Sequence, residues 1–145
     1  MRLKDIMQTR VVTIAPDAPA QSARALMRLE GVHHLVVKDE RRVVGVLSAR
    51  DLDARRAAEP AQVADVMSHP VISARPDATV RQAANLMRGR SVGSLPILEG
   101  RRLTGIITTA DLLELLGRGF ERPVEKGRRW TLRHRGVRPT PGRTR

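Results

Sequence analysis

GVLSARDLD (45–53) and GIITTADLL (105–113) decide how this chain is read. Each runs glycine, an apolar pair, a hydroxyl residue, two more positions, aspartate and leucine. An apolar pair followed by Ser/Thr-x-x-Asp is the pattern of a strand that turns into a helix. The hydroxyl accepts an orphan N–H of the first turn, and the carboxylate faces the positive helix end, as in a capping box. The same chemistry also suits a ligand. A helix start favours phosphate, and a carboxylate can accept two hydrogen bonds from the vicinal hydroxyls of a ribose. Capping alone requires neither the glycine and apolar pair nor their recurrence sixty residues later. Both readings stand at this stage.

Working outward, an offset of sixty aligns 3–52 with 63–112 without a gap, and seventeen of these fifty positions are identical. They include Asp5/Asp65, Met7/Met67, Met27/Met87, Gly45/Gly105 and Asp51/Asp111. Identity at that level marks an internal repeat. VVTI (11–14) and VISA (71–74) read as strands stopped by Pro16 and Pro76. Asp17 with Pro19, and Thr79-x-x-Gln82 as a capping box, start helices whose Ala23, Leu26, Met27 and Ala83, Leu86, Met87 recur at helical spacing. A hairpin follows, with the turn EG in copy two and a longer connection, KDERR, in copy one. Second helices are expected at about 50–58 and about 110–116. Each copy is strand, helix, strand, strand, helix. A unit so small cannot bury both faces of a three-stranded sheet alone, so two copies should pack about a pseudo-twofold axis with a cleft between them. The expected class is α/β (α+β), with repeats at 1–58 and 59–118 and a basic tail at 119–145.

These blocks resemble tandem cystathionine-β-synthase (CBS) domains, a Bateman module. The likeness is carried by DIMQTRVVTIAPDAPAQSARALM, GVHHLVV and GVLSARDL in the first copy. DVMSHPVISARPDATVRQAANLM, VGSLPIL and GIITTADLL carry it in the second, and it covers about 3–116. The resemblance implies a non-catalytic regulatory module that binds an adenosine-containing ligand (AMP, ADP, ATP or S-adenosylmethionine) between the repeats and signals by conformational change. It implies that Asp51 and Asp111 hold ribose hydroxyls and that Ser48 and Thr108 contact phosphate. It assigns adenine to Val12, Thr13, His34 and Leu35, and to Ile72, Ser73, Ser94, Leu95 and Pro96. Which strand serves which aspartate is left open.

The two copies differ. Copy two has Gly93-x-x-Pro96, where a ring can approach the backbone, against His33 and Val36 in copy one. Copy one has Arg50 beside Asp51, either solvated or on a phosphate, where copy two has Ala110. His33 and His34 are strand neighbours that face opposite ways, so they do not chelate a metal together. Met7, Met27, Met67 and Met87 read as core filler. No catalytic triad, Walker loop or paired-carboxylate hydrolase pattern is legible, and no enzyme activity is expected.

Absence of cysteine excludes disulfides, thiolate metal sites and a cysteine nucleophile, and suits a cytoplasmic protein. No apolar run is long enough for a membrane span or a signal segment. Of the net charge of +12, residues 117–145 carry +8, with ten Lys/Arg against Glu121 and Glu125. That tail holds both aromatic residues, Phe120 and Trp130. It reads as a solvated arm, as a nucleic-acid contact through phosphate neutralisation and Trp130 stacking, or as a dock for an acidic protein or a second subunit. A homodimer is expected. The rival reading is a nucleic-acid-binding protein that uses the repeat pair as a dimerisation scaffold.

Overall fold

The computed structural model describes residues 1–54 and 61–119. After a 3-10 turn at Leu3–Asp5, copy one runs β1 (Thr13–Ile14), α1 (Ala20–Glu30), β2 (His34–Asp39), β3 (Arg42–Ser48) and α2 (Ala49–Asp53). Copy two runs α3 (Val63–Val66), α4 (Val80–Arg90), β4 (Ser94–Glu99), β5 (Arg102–Thr108) and α5 (Thr109–Gly119). Met1–Glu114 form one unit, and a second begins at Leu115, within α5. The expected repeat boundary at 58/59 and the tail from 120 onward lie outside the described residues.

Local chemistry explains where the long helices start and stop. Thr79 Oγ1 accepts from the Gln82 amide at 3.1 Å, and Gln82 Oε1 accepts from the Thr79 amide at 2.8 Å, so α4 has the capping box its sequence predicts. Copy one departs from expectation. Pro19 is the N-cap of α1 and makes no side-chain cap bond, so Asp17 does not cap it. Both helices end on a left-handed residue, Gly31 at φ 66° and Ser91 at φ 53°. Ala23 and Met27, like Ala83 and Met87, are buried one turn apart.

The hairpins are alike, against the longer connection expected in copy one. Asp39 pairs with Arg42 and Glu99 with Arg102, leaving a two-residue turn in each. Glu40 takes φ 55° where copy two has Gly100 at φ 62°. Copy one accepts backbone strain at a position where copy two has the residue that avoids it.

The first strands differ, and Pro96 is the reason. In copy one the Val36 amide donates to the Val12 carbonyl at 3.1 Å, and β1 pairs with β2 in parallel. Position 96 is the equivalent of 36, and proline has no N–H to donate. Residues 71–74, expected as a strand, therefore keep only a lone parallel bridge, Ala74 with Ile97.

Each copy's leading segment packs on the other copy. The Leu3 and Lys4 amides donate to the Ala78 and Pro76 carbonyls at 2.9 and 2.8 Å. Reciprocally, the Val63 and Ala64 amides donate to Ala18 and Pro16, each at 2.8 Å. Leu3 is fully buried in the core of Ala83, Met87, Leu95, Ile97 and Ile107. Val63 is fully buried with Ala23, Met27, Leu35, Val37, Leu47 and Leu52. Burying such a side chain contributes roughly 2 kcal/mol, enough to hold a short leader in place. The exchange is reciprocal, which is the pseudo-twofold relation expected of the repeats. Two of the repeated aspartates belong to this device: Asp5 Oδ2 accepts from the Arg2 amide at 3.0 Å, and Asp65 Oδ2 from the Gln62 amide at 2.9 Å.

The exchange also accounts for the repeated glycines. A Cβ on Gly45 would lie 2.9 Å from Met67 Cγ and 3.1 Å from the Ser68 carbonyl oxygen. One on Gly105 would lie 2.6 Å from Met7 Sδ and 2.9 Å from the Gln8 carbonyl oxygen. The glycine before each apolar pair leaves room for the other copy's leader. Met7 and Met67 fill these contacts from the crossed segments.

Candidate functional site

Both Ser/Thr-x-x-Asp turns form the cap. Ser48 Oγ accepts from the Asp51 amide at 3.1 Å and Asp51 Oδ2 from the Ser48 amide at 2.9 Å. Thr108 Oγ1 accepts from the Asp111 amide at 3.2 Å and Asp111 Oδ2 from the Thr108 amide at 2.8 Å. Each turn is pinned to the start of its hairpin. The Ala49 amide donates to the His33 carbonyl at 2.9 Å and the Thr109 amide to the Gly93 carbonyl at 3.0 Å.

The caps are not hidden, because both line one cleft of about 740 Å³. That volume lies within the range of small-molecule sites. Of the residues named from sequence, Val12, His34, Ser48, Arg50, Asp51, Ile72, Ser94, Thr108 and Asp111 line it. Thr13, Leu35, Ser73, Leu95 and Pro96 are not among its lining residues. Leu35 and Leu95 are fully buried in the two cores, one strand position on from His34 and Ser94, so side-chain alternation turns them away. Pro96 is fully buried, Thr13 is exposed on β1, and Ser73 lines a separate depression of about 440 Å³.

The carboxylates differ in their second oxygen. Asp111 Oδ1 accepts from Gln8 Nε2 at 2.7 Å, across the whole length of the unit in sequence. Asp51 Oδ1 has no donor among the described residues. Gln8 was missed as a site residue, since nothing local distinguishes it from Ser68, its equivalent. Arg10, which lines the cleft and pairs with Glu30, was also missed.

His34 lines the same cleft. A Cβ on Gly93 would lie 3.3 Å from His34 Nε2, so the ring that rests against Gly93 is the protein's own imidazole. Burial holds the His34 pKa below its ordinary 6.5, the neighbouring His33 lowers it further, and Asp51 and Asp111 oppose both. The imidazole on the cleft wall thus feels both carboxylates. Among the described residues no group of three His, Asp or Glu side chains is placed to hold a metal ion.

With this geometry in view, the model of the CBS domain family matches residues 3–56 and 63–118. The chain belongs to the CBS domain family. CBS domain-containing protein YhcV of Bacillus subtilis is 32% identical over 114 residues, covering 76% of this chain and 81% of that protein. Homoserine O-acetyltransferase of Methanococcoides burtonii is 32% identical over 115 residues, 78% of this chain but 24% of that enzyme. The likeness to the enzyme is thus confined to about a quarter of its length. Among solved structures, the CBS domain pair of protein MJ0100, in complex with 5'-methylthioadenosine and S-adenosyl-L-methionine, superposes with a TM-score of 0.75 at 25% identity. It covers 81% of this chain and all of that one. Among the described residues of this CBS pair no helix is long and apolar enough to cross a membrane.

Proposed function

We propose that this chain is a non-catalytic regulatory module of the cytoplasm that binds an adenosine-containing ligand, of the AMP, ADP, ATP or S-adenosylmethionine class, in the cleft between its CBS repeats. Occupancy changes the angle between the repeats and is read by a partner, with the module acting as a homodimer. The observation that carries this is the pair of cap aspartates opening into one cleft, with one carboxylate oxygen of Asp51 uncommitted among the described residues. A carboxylate held by its own cap is oriented before ligand arrives, which reduces the entropy lost when a ribose diol docks. Val12, Val71 and Ile72 supply apolar wall for a base, and Arg50 supplies positive charge for an anionic end. The adenosine ligands of the MJ0100 pair, which has the same fold, favour this assignment.

The test is thermal shift with calorimetric titration of AMP, ADP, ATP, NAD and S-adenosylmethionine. At least one should stabilise the protein, by about 2.7 kcal/mol at a hundredfold excess over Kd. Asp51→Ala combined with Asp111→Ala should remove the response. Silence from all five ligands refutes the proposal. If that silence came with salt-sensitive nucleic-acid binding, the rival reading through the charge of residues 117–145 would take its place.

A further inference from the structure

We propose that Gln8 decides which carboxylate of the cleft receives a ribose: it commits Asp111 and leaves Asp51, so the module takes one adenosine ligand per chain. This rests on the adenosine-binding reading above and adds to it the choice between two otherwise equivalent ends.

Positions 8 and 68 correspond under the sixty-residue offset, and each is fixed by a two-way backbone bridge to the opposite copy. The Gln8 amide donates to the Ile106 carbonyl at 3.0 Å and the Ile106 amide donates back at 2.9 Å. Val46 and Ser68 exchange the same pair of bonds at 3.2 and 2.8 Å. Ile106 and Val46 each stand two residues before a cap hydroxyl, so the side chain at 8 or 68 is delivered beside that cap. Up to this point the copies are equal, and side-chain length then separates them. Gln8 reaches Asp111 Oδ1 at 2.7 Å. Ser68 lacks that reach and makes no bond to Asp51 among the described residues.

A hydrogen bond to a carboxylate is roughly twice as strong as one between neutral groups. A diol arriving at Asp111 must displace the Gln8 amide from Oδ1 while Oδ2 stays on the Thr108 amide. At Asp51 only Oδ2 is engaged among the described residues. The flanking residues favour the same end for an anionic ligand, with Arg50 beside Asp51 and Ala110 beside Asp111, both on the cleft wall.

The experiment is calorimetry on the full chain with ATP, AMP and S-adenosylmethionine, each titrated into wild type, Asp51→Asn, Asp111→Asn and Gln8→Ser. Asparagine keeps an oxygen for the cap, and serine is what copy one's cap already meets at position 68. Wild type should bind one equivalent of at least one ligand. Asp51→Asn should weaken it about tenfold or more, and Asp111→Asn by clearly less. Gln8→Ser should gain a second equivalent, lost again in Gln8→Ser combined with Asp111→Asn. Two equivalents in wild type, loss of binding in Asp111→Asn instead of Asp51→Asn, or a folded Gln8→Ser that stays at one equivalent would overturn the role of Gln8 and leave adenosine binding standing. No binding by either wild type or Gln8→Ser overturns both. The two asparagine variants give their answer whether or not Gln8→Ser folds.

Discussion

Replacing Gly105 by alanine tests the exchange of leaders directly. The added Cβ would meet Met7 Sδ at 2.6 Å, Met7 Cγ at 2.9 Å and the Gln8 carbonyl oxygen at 2.9 Å. The thioether can swing aside. The carbonyl cannot, because the same oxygen accepts from the Ile106 amide at 2.9 Å and the Gln8 amide is bonded back at 3.0 Å. Relief therefore means opening the bridge that holds the leader on copy two. Overpacking of this kind costs roughly 1–3 kcal/mol, and a rigid backbone atom as the obstacle puts Gly105→Ala near the top of that range. The matching contact at Gly45 is the Ser68 carbonyl oxygen at 3.1 Å, so Gly45→Ala should cost less, about 1–2 kcal/mol. Urea unfolding followed by circular dichroism measures both, and a thermal melt should show Gly105→Ala lower by about 10 °C. Met7→Ala removes the sulfur but not the carbonyl, so the double variant should lose less than the two singles together, with a coupling near 1 kcal/mol. A wild-type urea midpoint for Gly105→Ala, a larger loss at Gly45, or strict additivity with Met7→Ala would refute the packing argument.

Two further outcomes follow from the asymmetry of the copies. Glu40→Gly and Ser91→Gly should each raise stability by about 0.5–1 kcal/mol, since these residues hold φ 55° and 53° where the other copy has Gly100 and Gly31, and Gly100→Glu should lose a similar amount in the same urea assay. His34 has a folded pKa below 6.5, so above that value both folded and unfolded chains are neutral there and its contribution to stability is fully present. As pH falls through 6.5 towards the folded value, the unfolded chain takes up the proton first and stability declines. His34→Gln should flatten the difference between unfolding at about pH 7.5 and about pH 5.5, and an unchanged acid dependence would remove His34 as its source.

Much of the fold was legible because its signals are local and occur twice. The offset of sixty predicted the order of elements, and Thr79-x-x-Gln82 marked the start of α4. The strand-to-helix reading of 45–53 and 105–113 agrees with β3 into α2 and β5 into α5. Failures came where a neighbour in space overrides the local pattern. VISA has strand composition, but its partner at position 96 is a proline. KDERR has no turn glycine, yet Glu40 adopts the turn because the strands on either side pair in the same register as in copy two.

By itself the sequence determined a repeated unit, its caps and the pair of aspartates, because each of these depends on residues within a few positions of one another. Tertiary structure alone decided that the leaders cross, that Gly45 and Gly105 accommodate them, and that Asp111 but not Asp51 is held by Gln8. Those contacts join segments up to 103 positions apart, and their existence depends on reach and direction in space. A glutamine and a serine at equivalent positions look interchangeable along the chain. Only when the other copy brings a carboxylate within 2.7 Å does the longer side chain acquire a partner.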